Sequence, residues 1–258
     1  MTARYLRYLP LCVAMVAPAQ HLTPDKQKIV EAARAHYYSL PDHGFDGLSC
    51  SVSFDWSTFP WGGSSPEQQA NLKQTKFLVT IDGQGRSQVT AQPPDGPATV
   101  QPQGAAGLAR ALVAGVFLTW PTKGLFGPIP PFNTEVGDAA AVPEGFRFTL
   151  AVPGGPVTVI TDKDYLASEV RSFHDEVDEH PVYSAMPEGL VYTANQAVTK
   201  NPDGTQSEIA FELNTQVLSG LRVPSSVHLR INRSIDVHYS LENCAVKKTA
   251  VVKVLPPK

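Results

Sequence analysis

The chain has 258 residues, 42% of them hydrophobic and 17% charged, with 21 Lys+Arg against 24 Asp+Glu and a formal net charge of −3. That length and apolar content suffice for a sizeable core and exclude a disordered chain, which is more charged and less apolar. The lack of a basic surplus excludes a nucleic-acid binder driven by phosphate contacts, and 23 prolines with 19 glycines favour many turns over a helical bundle.

At the start of the chain, Arg4 and Arg7, the apolar run Leu9 to Val16 and the small-x-small Ala17-Pro18-Ala19 stand in the order of an export signal. Residues 1–19 are therefore read as a signal peptide, with Gln20 as the new N-terminus, and 20–258 as one domain located in the periplasm or secreted. Cys12 lacks the small residues that a lipoprotein signal places before its cysteine. Cys50 and Cys244 remain, and in an oxidising compartment this pair is expected to be a disulfide joining the first strand to the last. Cys50 shares a face with Val52 and Phe54, whereas strict alternation sets Cys244 opposite Tyr239 and Leu241. The bridge therefore requires a bulge near Asn243.

Thr23-Pro24-Asp25 is a helix start, with a capping hydroxyl, a proline in the first turn and an acid at the positive end. The helix is expected to reach about Ser39, with Ile29, Val30, Ala33, Tyr37 and Leu40 on one face, and to stop at Pro41-Asp42-His43-Gly44. Next, Leu48, Cys50, Val52, Phe54 and Trp56 alternate with Ser49, Ser51, Ser53 and Asp55, the pattern of a half-buried antiparallel strand. Ser57 to Asn71, rich in Gly, Ser and Pro and containing Phe59 and Trp61, reads as an interruption. Phe77 to Ile81 and Arg86 to Thr90 flank Asp82-Gly83-Gln84-Gly85 as a hairpin, and Phe146 to Val152 and Val157 to Thr161 flank Pro153-Gly154-Gly155-Pro156 as another.

Between these hairpins, Ala105 to Trp120 reads as an Ala/Gly-rich helix, hydrophobic almost all round. At 16 residues with Arg110 inside, it falls short of the ~20 that a spanning helix requires. Leu125, Phe126, Ile129 and Phe132 follow amid four prolines. His174-Asp175-Glu176-Val177-Asp178-Glu179-His180 matches no zinc spacing and is read as an acidic solvated loop.

The last quarter alternates throughout. Leu190 to Thr199 precedes the turn Asn201-Pro202-Asp203-Gly204, then come Ile209, Phe211 and Leu213, Ser219-Gly220, and Val227, Leu229 and Ile231. Asn232-Arg233-Ser234, a glycosylation triplet read here as turn chemistry, leads to Ile235, Val237, Tyr239 and Leu241. With Ile231 opposite Ile235, Arg230 faces Asp236 as an ion pair and His228 faces His238, read as a surface pair and not as a ligand set. The expected fold is α+β, an N-terminal helix with about ten antiparallel strands and a helical insertion. No Gly-x-Ser-x-Gly, Ser-x-x-Lys, His-Glu-x-x-His or phosphate-cradling glycine loop is present, so a non-enzymatic protein without metal or cofactor is expected.

This order of elements, with the run Val217-Leu218-Ser219-Gly220-Leu221-Arg222-Val223-Pro224-Ser225-Ser226-Val227, resembles the periplasmic lipoprotein-carrier (LolA/LolB-like) superfamily, whose strands open on a Gly-hydrophobic-x-hydrophobic-Pro pattern. The resemblance implies a large curved antiparallel sheet, an unclosed barrel, around a hydrophobic cavity with a helical lid. The implied ligand is a lipid, an acyl chain or a lipoprotein moiety, held by a dry concave surface. Candidate wall residues are Phe54, Trp56, Ile209, Phe211 and Leu213, with Val116, Phe117 and Trp120 on the lid. The expected partner is a lipid or acylated protein. Peripheral membrane contact is compatible with it, while nucleic acid and a transmembrane segment in the mature chain are not expected. The alternatives are an envelope protein-interaction module with a filled core and a metal-dependent enzyme using the acidic loop.

Overall fold

In the computed structural model the described residues are 22–131, 135–152, 155–172, 177–201, 203–232 and 234–250. The leader with Cys12, Phe132, the Pro153-Gly154 turn, His174 to Glu176, Pro202 and Arg233 lie outside them.

Helix α1 (Pro24–His36) starts where expected, with Thr23 extended at the N-cap, although its hydroxyl makes no capping bond; Pro24 and Asp25 carry the start. The helix ends at His36, short of Ser39, because the sheet captures the next backbone groups. Tyr37 forms a parallel bridge with Leu190, and the Tyr38 N–H donates to the Leu190 carbonyl at 2.9 Å. Both tyrosines are buried, so tertiary contacts override the helical periodicity. A 3₁₀ turn over Pro41–His43 closes on Gly44, whose φ of 83° favours glycine.

The remaining elements are β1 (Phe45–Phe54), α2 (Pro66–Gln74), β2 (Lys76–Asp82), β3 (Ser87–Gln92), α3 (Gly104–Trp120), β4 (Val136–Val142), β5 (Gly145–Val152), β6 (Gly155–Asp162), β7 (Ala167–Arg171), β8 (Val177–Met186), β9 (Gly189–Lys200), β10 (Gln206–Leu218), β11 (Leu221–Ile231) and β12 (Ile235–Lys248). All the strands join one 12-stranded antiparallel sheet in the order β3-β2-β1-β12-β11-β10-β9-β8-β7-β6-β5-β4. The last strand returns to pair with the first, while β3 and β4 remain as separate edges. This is the unclosed sheet with a helical insertion. The chain crosses from one edge to the other through α3, which packs on β3 and β2, while α1 packs on β4 with an ion pair between Lys26 and Asp138.

The three hairpins form as expected, with Phe77 opposite Ala91 and Phe148 opposite Val159, and β11–β12 takes the expected register with His228 opposite His238. The strands β4, β7 and β8 had no clear alternation. Val177 to His180, read as a solvated loop, belongs to β8 and pairs with β9. The segment read as an interruption contains α2, signalled by Ser65-Pro66-Glu67-Gln68. The Gln68 N–H donates to Ser65 Oγ and the Ser65 N–H to Gln68 Oε1, a capping box.

At the β1–β12 seam the register jumps from Ser49/Ala245 to Ser51/Glu242. Asn243, at φ 50°, sits in this bulge and turns Cys244 to the face of Cys50. The two cysteines are bonded, with Cα atoms 4.1 Å apart and Cys50 fully buried.

Candidate functional site

The inward face of α3 carries Ala109, Leu112, Val113, Val116, Phe117 and Trp120, all buried; Phe117 has no exposed surface and Trp120 is 3% exposed. The Phe117 and Trp120 rings meet edge to face at 6.4 Å. The helix continues through a π turn over Pro121–Leu125, making a mostly apolar helical stretch of 22 residues from Gly104 to Leu125, longer than the stretch read from the sequence. In this turn the Trp120 indole lies flat on Gly124, where an added Cβ would come within 2.5 Å of Trp120 Nε1. The inward face of the helix therefore plugs the interior on the β2–β3 side of the sheet.

The outward face of α3 is also uncharged. Leu108, Ala111, Gly115 and Leu118 are exposed there, Leu118 at 66%. The two charges of the segment point elsewhere: Arg110 Nε donates to the Val89 carbonyl at 3.1 Å, and Lys123 is buried.

The expected wall residues fall into two groups. Phe54 touches the rings of Trp56, Phe59, Phe77 and Tyr239 at 5.1 to 5.6 Å, and Trp56 stacks on Trp61 at 5.6 Å. Phe59 and Trp61, from the Gly/Ser/Pro-rich segment, complete this aromatic cluster at the end of β1. On the far strands, Phe211 meets Tyr192 edge-on at 6.1 Å and Leu213 is buried beside it in the strand. Ile209 is 43% exposed and contributes little to a closed wall. Val116, Phe117 and Trp120 lie on the plug itself.

Sequence reading missed a polar cluster inside the sheet. Lys123 Nζ, from the π turn, donates to Glu179 Oε2 of β8 at 2.7 Å, and Asn195 Nδ2 of β9 donates to the same oxygen at 3.0 Å. Tyr183 donates its hydroxyl proton to the Lys123 carbonyl at 3.3 Å. The Tyr192 hydroxyl and Asn195 Oδ1 are buried without a hydrogen-bond partner among the described residues. Burial pushes the Tyr183 and Tyr192 phenols well above their ordinary pKa, and the Glu179 carboxylate adds to the shift. The signal available was the period-two row Glu179, Pro181 and Tyr183 alternating with His180 and Val182, which the density of charge obscured.

This ion pair ties the C-terminal end of the plug to the sheet. Lys123→Met leaves a carboxylate among tyrosines without its counter-charge, and is expected to lower stability by about 2–3 kcal/mol, less than for a fully sealed pair because Glu179 is 21% exposed. Adding Glu179→Leu should recover most of that loss in a denaturant melt. A double variant no more stable than Lys123→Met would show that the pair is not what holds the turn.

At the other end of α3 a cleft of about 680 Å³ opens between residues 60–64, α2 and the first turn of α3. Its lining combines apolar Trp61, Leu72, Ala105, Ala106 and Leu108 with polar Glu67, Gln68 and Asn71. Lys73 Nζ lies 5.4 Å from the Trp61 ring centre, a cation–π contact that fixes the indole. Gly104 begins the helix with φ 58°, a conformation that glycine adopts without strain.

No protein-family model and no curated protein matches the chain. Among solved structures, the crystal structure of a DUF1329 family protein from Desulfovibrio piger ATCC 29098 is similar to it at 10% identity, covering 87% of this chain and 94% of that one, with a TM-score of 0.35. A likeness of that strength carries no inference about function.

Proposed function

We propose that the protein is a non-enzymatic, exported carrier that holds a lipid, an acyl chain or the lipid moiety of an acylated protein in the groove that α3 fills. The observation that carries this reading is that α3 is apolar on both faces. A helix hydrophobic all round is ordinarily covered all round. Here one face lies on the sheet while Leu108 and Leu118 face solvent with no charge between them. An acyl chain inserted between the inward face of the helix and the sheet keeps both apolar surfaces out of water, so the net cost is small compared with opening a groove to water. The cleft beside the first turn, with Trp61 and Leu108 at its rim, supports the same reading as an access point.

The test is a titration with a dansylated fatty acid of the wild type and of Trp120→Ala, which removes the largest side chain of the plug. Saturable binding is expected, tighter in Trp120→Ala because the groove is already partly vacated, with the ligand returning part of the stability lost on truncation. No saturable binding by either protein would sink the carrier reading. That outcome would favour the second reading, a protein-interaction module with a filled core, which the complete burial of Phe117 supports.

A further inference from the structure

We propose that His228, Asp236 and His238 form a binding site for a divalent transition-metal ion of the zinc class on the outer face of the sheet, independent of the groove. The β11–β12 hairpin builds it. His228 and His238 are cross-strand partners, and Asp236 precedes His238 by two residues and so shares its face. The two imidazoles stack with ring centres 3.9 Å apart and 15° between planes, and both turn their Nε2 atoms to one carboxylate oxygen. His228 Nε2 lies 2.8 Å from Asp236 Oδ1 and His238 Nε2 lies 3.5 Å from it, and the three donor atoms all fall within 4.8 Å of one another.

Those separations suit a single ion. Zinc binds imidazole nitrogen and carboxylate oxygen at roughly 2.0–2.2 Å, which sets tetrahedral donors about 3.3–3.5 Å apart. The two stacked rings must tilt about their side-chain torsions for their in-plane Nε2 lone pairs to converge on one ion, while the hairpin backbone stays fixed. Two neutral imidazoles and one carboxylate are a donor set that zinc, copper and nickel accept and that calcium and magnesium, which prefer all-oxygen shells, do not.

The surroundings leave Asp236 available. The ion pair expected with Arg230 is not made, because Arg230 Nη2 donates to Glu212 Oε1 on β10 at 3.0 Å. The Asp55 carboxylate lies near enough to His238 for their charges to interact, adding negative potential. Beside the histidines, a groove of about 550 Å³ is lined by Ser53, Asp55, Thr58, Asn214, Ser226 and Ser240. A three-ligand ion keeps its fourth position open to this groove, for water or a small anion.

The test is a titration of metal-free full chain with zinc alone, in competition with a chromophoric zinc indicator. One equivalent is expected to bind, with affinity falling about tenfold or more in His228→Ala, His238→Ala and Asp236→Asn, while His180→Ala, on the same outer face, leaves it unchanged. Circular dichroism melts establish that each variant is folded. A wild type that does not compete with the indicator, or a loss below tenfold in the folded His228→Ala/His238→Ala variant, overturns the proposal. The carrier reading stands or falls on the fatty-acid titration instead.

Discussion

Trp120→Asp is expected to lower the unfolding free energy by more than 4 kcal/mol and the melting temperature by about 10 °C or more. The indole is 3% exposed between the sheet and Gly124. Truncating a buried tryptophan costs about 3–5 kcal/mol through lost transfer energy and a residual cavity. A carboxylate in its place must either remain charged in an apolar setting or take up a proton, and both cost further. For a chain of this size each kcal/mol shifts the midpoint by about 2–4 °C. Leu118→Asp, on the outward face of the same helix, is the control and should move the midpoint little. A stable Trp120→Asp protein that has lost fatty-acid binding would mean that the helix roofs an open cavity, against the packing described here.

Removing the Cys50–Cys244 bridge is expected to have an effect of similar size. The bond spans 194 residues, and the loop-closure argument gives about 5 kcal/mol as an upper figure, with roughly 2–5 kcal/mol typical of native bridges. Urea unfolding of the wild type with and without reductant should show the difference, and reductant should not shift Cys50→Ala/Cys244→Ala any further. Two titratable thiols in the denatured, unreduced wild type would rule the bond out.

The bridge was legible because alternation is a geometric rule. Counting faces from Tyr239 and Leu241 put Cys244 on the wrong side, and only a bulge at Asn243 could turn it, which is where the structure has one. The β2–β3, β5–β6 and β11–β12 hairpins were legible for the same reason, since clean period-two runs flank turn residues. The strand β4 was hidden by Gly137 and its alanines, whose small side chains give weak contrast between faces, and β8 by a charge-dense run in which Glu179 points inward to a lysine far along the chain. The site was harder to read. Hydrophobicity identified α3, but only packing could tell a plug from a roof. The ion pair Arg230–Asp236 was plausible from the register alone, yet Glu212 on a third strand competed for the arginine. Pairwise reasoning along one hairpin does not see that competitor.

The β1–β12 seam also determines how the molecule would respond to tension. Phe45 opposes Lys248, so the first residue of β1 and the last of β12 lie side by side. Once α1 is pulled from the sheet, a load applied to the two chain ends reaches that pair and peels the strands apart one rung at a time, a low-force mode, because the backbone bonds break in sequence and not together. Peeling stops a few rungs in, where a covalent bond takes the load across Cys50 and Cys244. The 194-residue span between the cysteines, with α2, α3 and strands β2 to β11 inside it, is then shielded from extension. In the oxidised protein, stretching can fray only a short margin of the sheet, whereas in the reduced protein the same pull would unzip the seam along its length.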